Sequence, residues 1–354
     1  MIAMGCILIL SFQIVAAILI WAGRKNMRFK HEDECIGGLS ILIPFHNEEN
    51  RILELINSLN QLEKKENRAI VFINDHSSDN TVRLIESKLQ HPFKIIENTY
   101  KKGKKWAIKK GVESANDNWI LTWDADVKIG NDYWQKLSEL PVADMIVLPV
   151  KLTGSKTPSI WAKIEHAFLR FFQDGMASIN YPTLASGANL VFRRTAFLEL
   201  ESKRNDYSIP SGDDVFLLDQ MRLSNMQILN IPYNQYAVET PAPTNWKSLF
   251  QQRKRWSSKV GDMKSWTLIP AGLLLMFVQL SVFGLIWLSL NNPLFILLIG
   301  IKIMIEIGIV GTYNKLNVQL ILMTIVNQVL YTLIVLVGLF PWGKESKWVI
   351  TEGQ

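Results

Sequence analysis

The chain has 354 residues, with 38 Lys plus Arg against 32 Asp plus Glu, 48% hydrophobic residues and two cysteines. That composition is too apolar for a disordered chain and too charged for one held wholly in lipid. Charge is also segregated: none occurs from Met1 to Gly23, and after Lys264 only Lys302, Lys315, Lys344, Lys347, Glu306, Glu345 and Glu352 are found. A single soluble domain is excluded.

In chain order, Ile2 to Ala22 is an uncharged run about long enough to cross a hydrocarbon core as a helix. No charged segment precedes it and no small-residue cleavage site follows, so it reads as an uncleaved anchor, residues 1–23. Arg24, Lys25, Arg28 and Lys30 follow in a basic linker, residues 24–38, and by the charge bias of loops this side stays cytoplasmic. Cys6 and Cys35 offer no disulfide framework. The basic excess needs no nucleic-acid partner, because it sits beside apolar runs, where anionic membrane lipids attract it.

The middle block holds 34 basic and 29 acidic residues, enough chain for one large domain. Leu39–Pro44, Ala69–Asp75, Phe93–Glu97, Trp119–Asp124 and Met145–Val150 are short Ile/Val-rich runs, the pattern of strands buried in a parallel sheet. Helical stretches separate them at Glu48–Leu62, Asp79–Leu89, Gly103–Ala115 and Asp132–Leu140. The alternation predicts a doubly wound α/β sheet, whose ligands bind beyond the carboxyl ends of the strands. Polar residues cluster there: His46, Asn47, Glu48 and Glu49; Asn74, Asp75, His76, Ser77, Ser78 and Asp79; Asp124 and Asp126. No GxGxxG or Walker loop is present. Asp124 and Asp126 alternate on an extended segment, hard oxygen donors suited to a divalent cation with positions left for phosphate oxygens.

Further along, Ile160–Phe172 carries an apolar stripe at helical spacing, which fits either core packing or an interfacial helix on the cytoplasmic leaflet. Asp213 and Asp214 precede a helical run from Val215 and suit either a helix start or chemistry. Gln252, Arg255 and Trp256 fall on one helical face. The surrounding Arg253, Lys254 and Lys259 suit lipid phosphates at a membrane entrance. Leu268–Leu290, Leu294–Val310 and Leu320–Phe340 are further candidate crossings. Lys302 and Glu306, four residues apart within the middle one, predict an internal ion pair or a contact with a polar headgroup.

Together, LSILIPFHNEE, FINDHSSDNT, KKGKKWAIKKG, TWDADV, ASGANLVFRR, SGDDVFL and QQRKRW resemble, in order and spacing, the GT-A domain of the inverting glycosyltransferase family 2, over about Leu39 to Trp256. The resemblance implies a nucleotide site at Asp75, walled by Pro44, Asn47 and Glu48, with Lys104 and Asp124 nearby. It implies Mg²⁺ or Mn²⁺ on Asp124 and Asp126, a catalytic base at Asp214 beside Asp213, and an acceptor loop at Ala185, Ser186, Gly187 and Asn189. Gln252, Arg255 and Trp256 match the QxxRW element, with Arg255 suited to the diphosphate leaving group and Gln252 and Trp256 to the acceptor. His76 stands where the family usually has glycine, Lys109 where asparagine is frequent, and Asp213 where glutamate is common.

The expected architecture is an α/β GT-A domain with a mostly parallel sheet, residues 39–264. One N-terminal and about three C-terminal transmembrane helices flank it, the latter in 265–343, followed by a tail, 344–354. The expected activity is transfer of a sugar from a nucleotide diphosphate sugar, a UDP-sugar first, to a lipid or lipid-linked hydroxyl at the cytoplasmic membrane face. A processive polysaccharide synthase is the alternative within the class. A small transporter or flippase working through Lys302 and Glu306, with a sugar-nucleotide-sensing domain, is the alternative outside it.

Overall fold

A computed structural model describes residues 2–26, 36–62, 68–204, 206–209, 212–260 and 268–338. Cys35, most of the basic linker and the tail 344–354 lie outside the described residues. The elements run α1 (Ile2–Asn26), β1 (Leu39–Phe45), α2 (Ile52–Gln61), β2 (Arg68–Asn74), α3 (Thr81–Lys88), β3 (Phe93–Glu97), α4 (Lys104–Ser114) and β4 (Trp119–Thr122). Next come α5 (Tyr133–Ser138), β5 (Met145–Val147), β6 (Val150–Thr153), α6 (Thr157–Ser178), β7 (Leu190–Arg193), α7 (Arg194–Glu201), α8 (Asp213–Leu223), β8 (Ile228–Asn230) and β9 (Val238–Pro241). The chain continues through α9 (Trp246–Val260), α10 (Leu268–Ser289), α11 (Leu294–Tyr313) and α12 (Val318–Gly338). Two compact units result, one built on residues 28–151 and 182–241, the other on 1–27, 152–181 and 242–345.

The first unit is an α/β sandwich. Its seven strands run β3-β2-β1-β4-β7-β5-β8, parallel except for β7, which is antiparallel to both β4 and β5. All seven residues of β1 are buried, because both faces of the sheet are covered. Leu39, Ile41, Ile43 and Phe45 enter one core with Ile52, Leu55, Leu59, Ile85 and Trp134. Leu42, on the opposite pleat, enters the other with Ala107, Val112, Phe197 and Leu217. Each such fully buried side chain contributes about 1.5–3 kcal/mol.

Strand register decides where the polar residues emerge. Phe45 pairs with Asn74 at the ends of β1 and β2, the Asp75 amide donates to the Phe45 carbonyl at 2.8 Å, and the Trp123 amide donates to Leu42 at 3.0 Å. The segments after β1, β2 and β4 therefore leave the sheet along one edge.

Several expectations change. The Met145–Val150 run is two strands, broken at Leu148 and Pro149, where proline lacks the amide a sheet interior needs. The strand β4 stops at Thr122, and Asp124 starts a turn closed by the Val127 amide on the Asp124 carbonyl at 3.4 Å, so Asp124 and Asp126 do not alternate on an extended chain. Glu48–Glu49 is not helical either, since helix α2 begins at Ile52. Strand β7, inside ASGANLVFRR, escaped the alternation because it enters the sheet antiparallel.

In the second unit, Ile160, Ile164, Ala167 and Phe171 pack with Ala17, Ile309, Val310, Tyr313 and Leu320. The α6 stripe is thus protein core, not a leaflet-facing surface. Asp174 accepts from Arg24 at 2.9 Å and from the Tyr313 hydroxyl at 2.7 Å, so the C-terminal ends of α1 and α11 meet on α6. Among the described residues two stretches are long and apolar enough to cross a membrane: Ala3–Arg24, mean hydropathy 2.6, and Leu294–Tyr313, mean hydropathy 2.4. Met276–Ser289 and Val318–Gln328 are shorter apolar stretches.

Lys302 and Glu306 are fully buried and pair at 2.5 Å. Lys302 also donates to Gln279 at 3.4 Å and to Gln328 at 2.5 Å. Glu306 accepts from Gln328, and from Gln13 at 3.5 Å and Gln279 at 3.4 Å. Four helices thus share one neutral polar knot, the internal-pair reading of these two charges. Removing one partner leaves the other charge buried alone, a cost of about 3–5 kcal/mol. Lys302→Met is accordingly expected to lower the denaturation midpoint of the detergent-solubilised chain, and Lys302→Met/Glu306→Met to recover most of the loss. Equal midpoints for all three proteins would contradict the pairing.

Candidate active site

The wall after β1 is welded to the loop after β2. Asn47, at φ 53°, is a left-handed residue of a type that tolerates that region. Its side-chain oxygen accepts from Ser78 at 2.9 Å, while its amide donates to Ser77 Oγ at 3.1 Å. The Glu48 amide donates to Thr81 Oγ1 at 2.8 Å and that of Glu49 to Asp79 at 3.1 Å. Pro44 is buried inside β1 opposite Ile73. His76 takes the glycine position in a left-handed conformation, φ 59°, a strain of roughly 1–2 kcal/mol. Its Nε2 donates to the Tyr100 carbonyl at 3.1 Å.

Asp75 is 2% exposed and accepts from the Gly103 amide at 2.8 Å and from Asn98 Nδ2 at 2.7 Å. It thereby draws the basic turn 101–103 onto the end of β2, and α4 starts immediately after, at Lys104. The Lys104 ammonium reaches Asp124 Oδ1 at 2.6 Å and Asp213 Oδ2 at 3.4 Å. Burial alone would lower its pKa, but the charges of Asp124, Asp213 and Asp214 outweigh that and hold it above the ordinary lysine range.

Asp213 and Asp214 open α8, whose N-terminal amides favour negative charge. Gly212, at φ 86°, makes the turn into that helix with no Cβ to strain. Asp214 accepts from the Val215 amide at 2.8 Å and, with its other oxygen, from the Gly187 amide at 3.0 Å. A Cβ on Gly187 would lie 2.6 Å from Asp213 Oδ2 and 3.0 Å from Lys104 Nζ. Gly187 thus acts through its backbone, orienting the acidic pair. Ser186 closes the same turn, accepting from the Ala188 amide at 3.4 Å. Asn189 does not belong to an acceptor surface: it is 0% exposed, and its side chain bonds Tyr133, Pro149 at 2.8 Å and Tyr236 at 2.9 Å, leaving no free polar face.

Asp126 lies on the other side of the turn. Arg51 spans from Glu48, at 2.7 Å, to Asp126, at 3.5 Å, and Thr240 Oγ1 donates to Asp126 at 3.4 Å. Burial and then the Asp124 charge push the Asp126 carboxyl above its usual range. A buried carboxylate, Asp126, set beside the Asp124 carboxylate is a donor set that a hard cation relieves. Asp124 and Asp126 fit a divalent ion in that chemical sense; among the described residues no cluster of three or more His, Cys, Asp or Glu is placed to hold one, so remaining ligands would be phosphate or water oxygens. Arg51 and Thr240 were not foreseen. Arg51 follows Glu48 by three residues, and that spacing was the available signal.

In the helical unit, Gln252, Arg255 and Trp256 lie on α9. Arg253 donates to Gln252 at 2.6 Å, sits 4.2 Å from the Trp256 ring centroid and pairs with Glu165 of α6. Arg253 is therefore committed to protein partners, contrary to its reading as a lipid contact. Arg255 is exposed.

A wound α/β sheet with carboxylates and a lysine converging beyond its strand ends defines a GT-A-type domain. Residues 40–200 match the family model Glycosyl transferase family 2. Residues 40–200 thus form a domain of the glycosyltransferase family 2 type. It is similar to the poly-beta-1,6-N-acetyl-D-glucosamine synthase of Staphylococcus epidermidis RP62A, 32% identical over 109 residues, 30% of this chain and 26% of that protein. The synthase of Staphylococcus aureus MSSA476 is 31% identical over 96 residues, 27% of this chain and 23% of that protein. The matches span about a quarter of these relatives' length. Among solved structures, the mannosyltransferase PcManGT of Pyrobaculum calidifontis, in complex with GDP-Man and Mn²⁺, shares the fold at TM-score 0.55 and 13% identity, covering 93% of this chain and 99% of that one.

Two tests follow from the geometry. Gly187→Ala pushes a methyl into Asp213 and Lys104 and is expected to reduce sugar transfer at least tenfold with the fold intact by circular dichroism; unchanged transfer would contradict the close approach. Burial first, with Asp126 and Asp124 adding to it, pushes Glu48 up to about 7 despite Arg51. Because the folded pKa exceeds the unfolded one, the stabilisation by bound proton is complete below about 4.5 and is lost as pH rises to about 7, roughly 3 kcal/mol in all. Glu48→Gln is expected to flatten that stretch of the stability-pH curve relative to the parent; parallel curves would refute it.

Proposed function

We propose that this chain is an inverting glycosyltransferase that moves a sugar from a nucleotide diphosphate sugar, a UDP-sugar first, to a lipid or lipid-linked hydroxyl at the cytoplasmic face of a membrane. The observation that carries the reading is the convergence of Asp124, Asp213 and Asp214 on the Lys104 ammonium, with the Gly187 amide fixing Asp214. Asp214 is the base: it takes the proton of the acceptor hydroxyl as that oxygen attacks the anomeric carbon from the side opposite the diphosphate. The new C–O bond forms as the bond to the β-phosphate oxygen breaks, and the nucleoside diphosphate leaves with the electron pair, so configuration inverts. Lys104 meets the negative charge that grows on the leaving group. Asp124 and Asp126 would hold Mg²⁺ or Mn²⁺, which supplies positive charge to the diphosphate when bound. Asp75, Asn47 and Glu48 form the base side of the nucleotide site. Arg255 of the QxxRW element serves the diphosphate through its planar donors, and Ser186, Gly187, Asp213, Gln252 and Trp256 belong to the acceptor side.

Membrane residence rests on Ala3–Arg24 and Leu294–Tyr313, with the basic end of the first crossing on the cytoplasmic side. Two further crossings, in residues 265–343, complete the proposed topology around a catalytic domain of residues 39–264. The polymer-synthase relatives favour a second reading, processive transfer, and product length on a gel separates the two. For transfer itself, the purified chain is incubated with labelled UDP-sugars, Mn²⁺ and extracted lipids. Asp214→Asn is expected to slow product formation by about 10²-fold or more while nucleotide binding persists; an undiminished rate would remove Asp214 as the base.

A further inference from the structure

Behind the Lys104 contacts lies a second, buried charge cluster that no step above uses. Lys105 is 3% exposed, and its ammonium donates to the Asp206 backbone carbonyl at 2.7 Å and approaches the Asp206 carboxylate at 2.8 Å. Arg204 grips the same carboxylate with both arms of its fork, at 2.9 and 2.8 Å. Asp206 is 4% exposed. Burial works against its charge, yet the two cations hold its carboxyl below the usual carboxylate range.

Neighbouring residues of α4 grip the same loop. Lys109, one turn after Lys105 and on the same helix face, pairs with Glu201 at 2.7 Å. The Trp106 ring lies 4.2 Å from that of Tyr207, whose hydroxyl donates to Glu201 at 2.7 Å. Lys105 also lies 4.4 Å from the ring of Phe216 in α8. One cleft is lined by Lys105, Arg204, Asp213 and Asp214 together.

Consecutive helical residues point about 100° apart. Lys104 therefore faces Asp124 and Asp213 while Lys105 faces the loop, so one helix turn contacts the acidic pair directly and also the segment that delivers it. Asp206 lies only seven residues before Asp213. Fixing the first limits where the second can go. Two cations on one carboxylate is a costly arrangement for stability alone, since burying charge rarely gains over apolar packing.

We propose that Lys105, Arg204 and Asp206 are positioning residues, a buried latch through which α4 sets the start of α8 and hence the placement of Asp214 against the acceptor. The inference rests on the assignment of Asp214 as the base. The latch acts through Asp214, so its loss falls on turnover and not on donor affinity.

The test uses the full chain in detergent, Lys105→Gln, Lys105→Arg and the parent. Transfer is measured from UDP-glucose, UDP-N-acetylglucosamine and GDP-mannose to extracted lipids, and UDP and GDP affinity is measured separately by calorimetry. Lys105→Gln is expected to lower kcat at least tenfold, leave donor KM and nucleotide affinity within twofold of the parent, and be restored to at least half by Lys105→Arg. An unchanged kcat overturns the latch, as does a fall in kcat accompanied by an equal loss of nucleotide affinity, which marks general damage. Should Lys105→Gln not fold, Arg204→Lys, which keeps the charge and loses the fork, is judged by the same kcat and KM criteria. A parent chain that transfers no sugar from any donor overturns the proposed function itself, a result distinct from failure of the latch.

Discussion

Everything at the strand ends is arranged around one desolvated ammonium, that of Lys104. Burial opposes its charge, and three carboxylates, Asp124, Asp213 and Asp214, more than repay that opposition. The ammonium contacts Asp124, at the end of β4, and Asp213, at the start of α8, and so joins pieces of chain far apart in sequence. Its own position is set by Asp75, which ties the Gly103 amide to the end of β2. Asp75 thus contributes by building the site as well as by any contact with a base.

Much of this was legible in the sequence, for reasons that can be stated residue by residue. LSILIP and AIVFIN are continuous apolar runs because both sheet faces are covered, and their polar successors emerge together because Phe45 and Asn74 are in register. Asp124, Asp214 and Lys104 were named from local motifs and are near one another in the fold. Asn189 was misassigned because a motif does not distinguish a residue that lines a loop from one that supports it from beneath. Its amide has three buried partners, from segments no local pattern connects. The antiparallel β7 and the break at Leu148–Pro149 were missed for a related reason: strand direction and sheet membership are tertiary properties.

The helical unit shows the same limit in another form. An apolar stripe on α6 reads identically whether it meets lipid or protein, and here it meets α1, α11 and α12. Lys302 and Glu306 were recognisable as a pair from their spacing, but the glutamines that complete their hydrogen bonds come from three other helices. The Asp174, Arg24 and Tyr313 contact joins the C-terminal ends of α1 and α11, so the two helices run in the same direction.

The central claim is that Asp124, Asp126 and Lys104 cradle a nucleotide diphosphate sugar, and ligand-linked thermal stability reads it most directly. A ligand that binds the folded chain raises the denaturation midpoint by mass action. With Mn²⁺ present, one of UDP-glucose, UDP-N-acetylglucosamine or GDP-mannose should raise the midpoint of the solubilised chain by several degrees, and Asp124→Asn/Asp126→Asn should abolish the shift. A shift of equal size in the double variant, or none with any donor in the parent, would contradict the site.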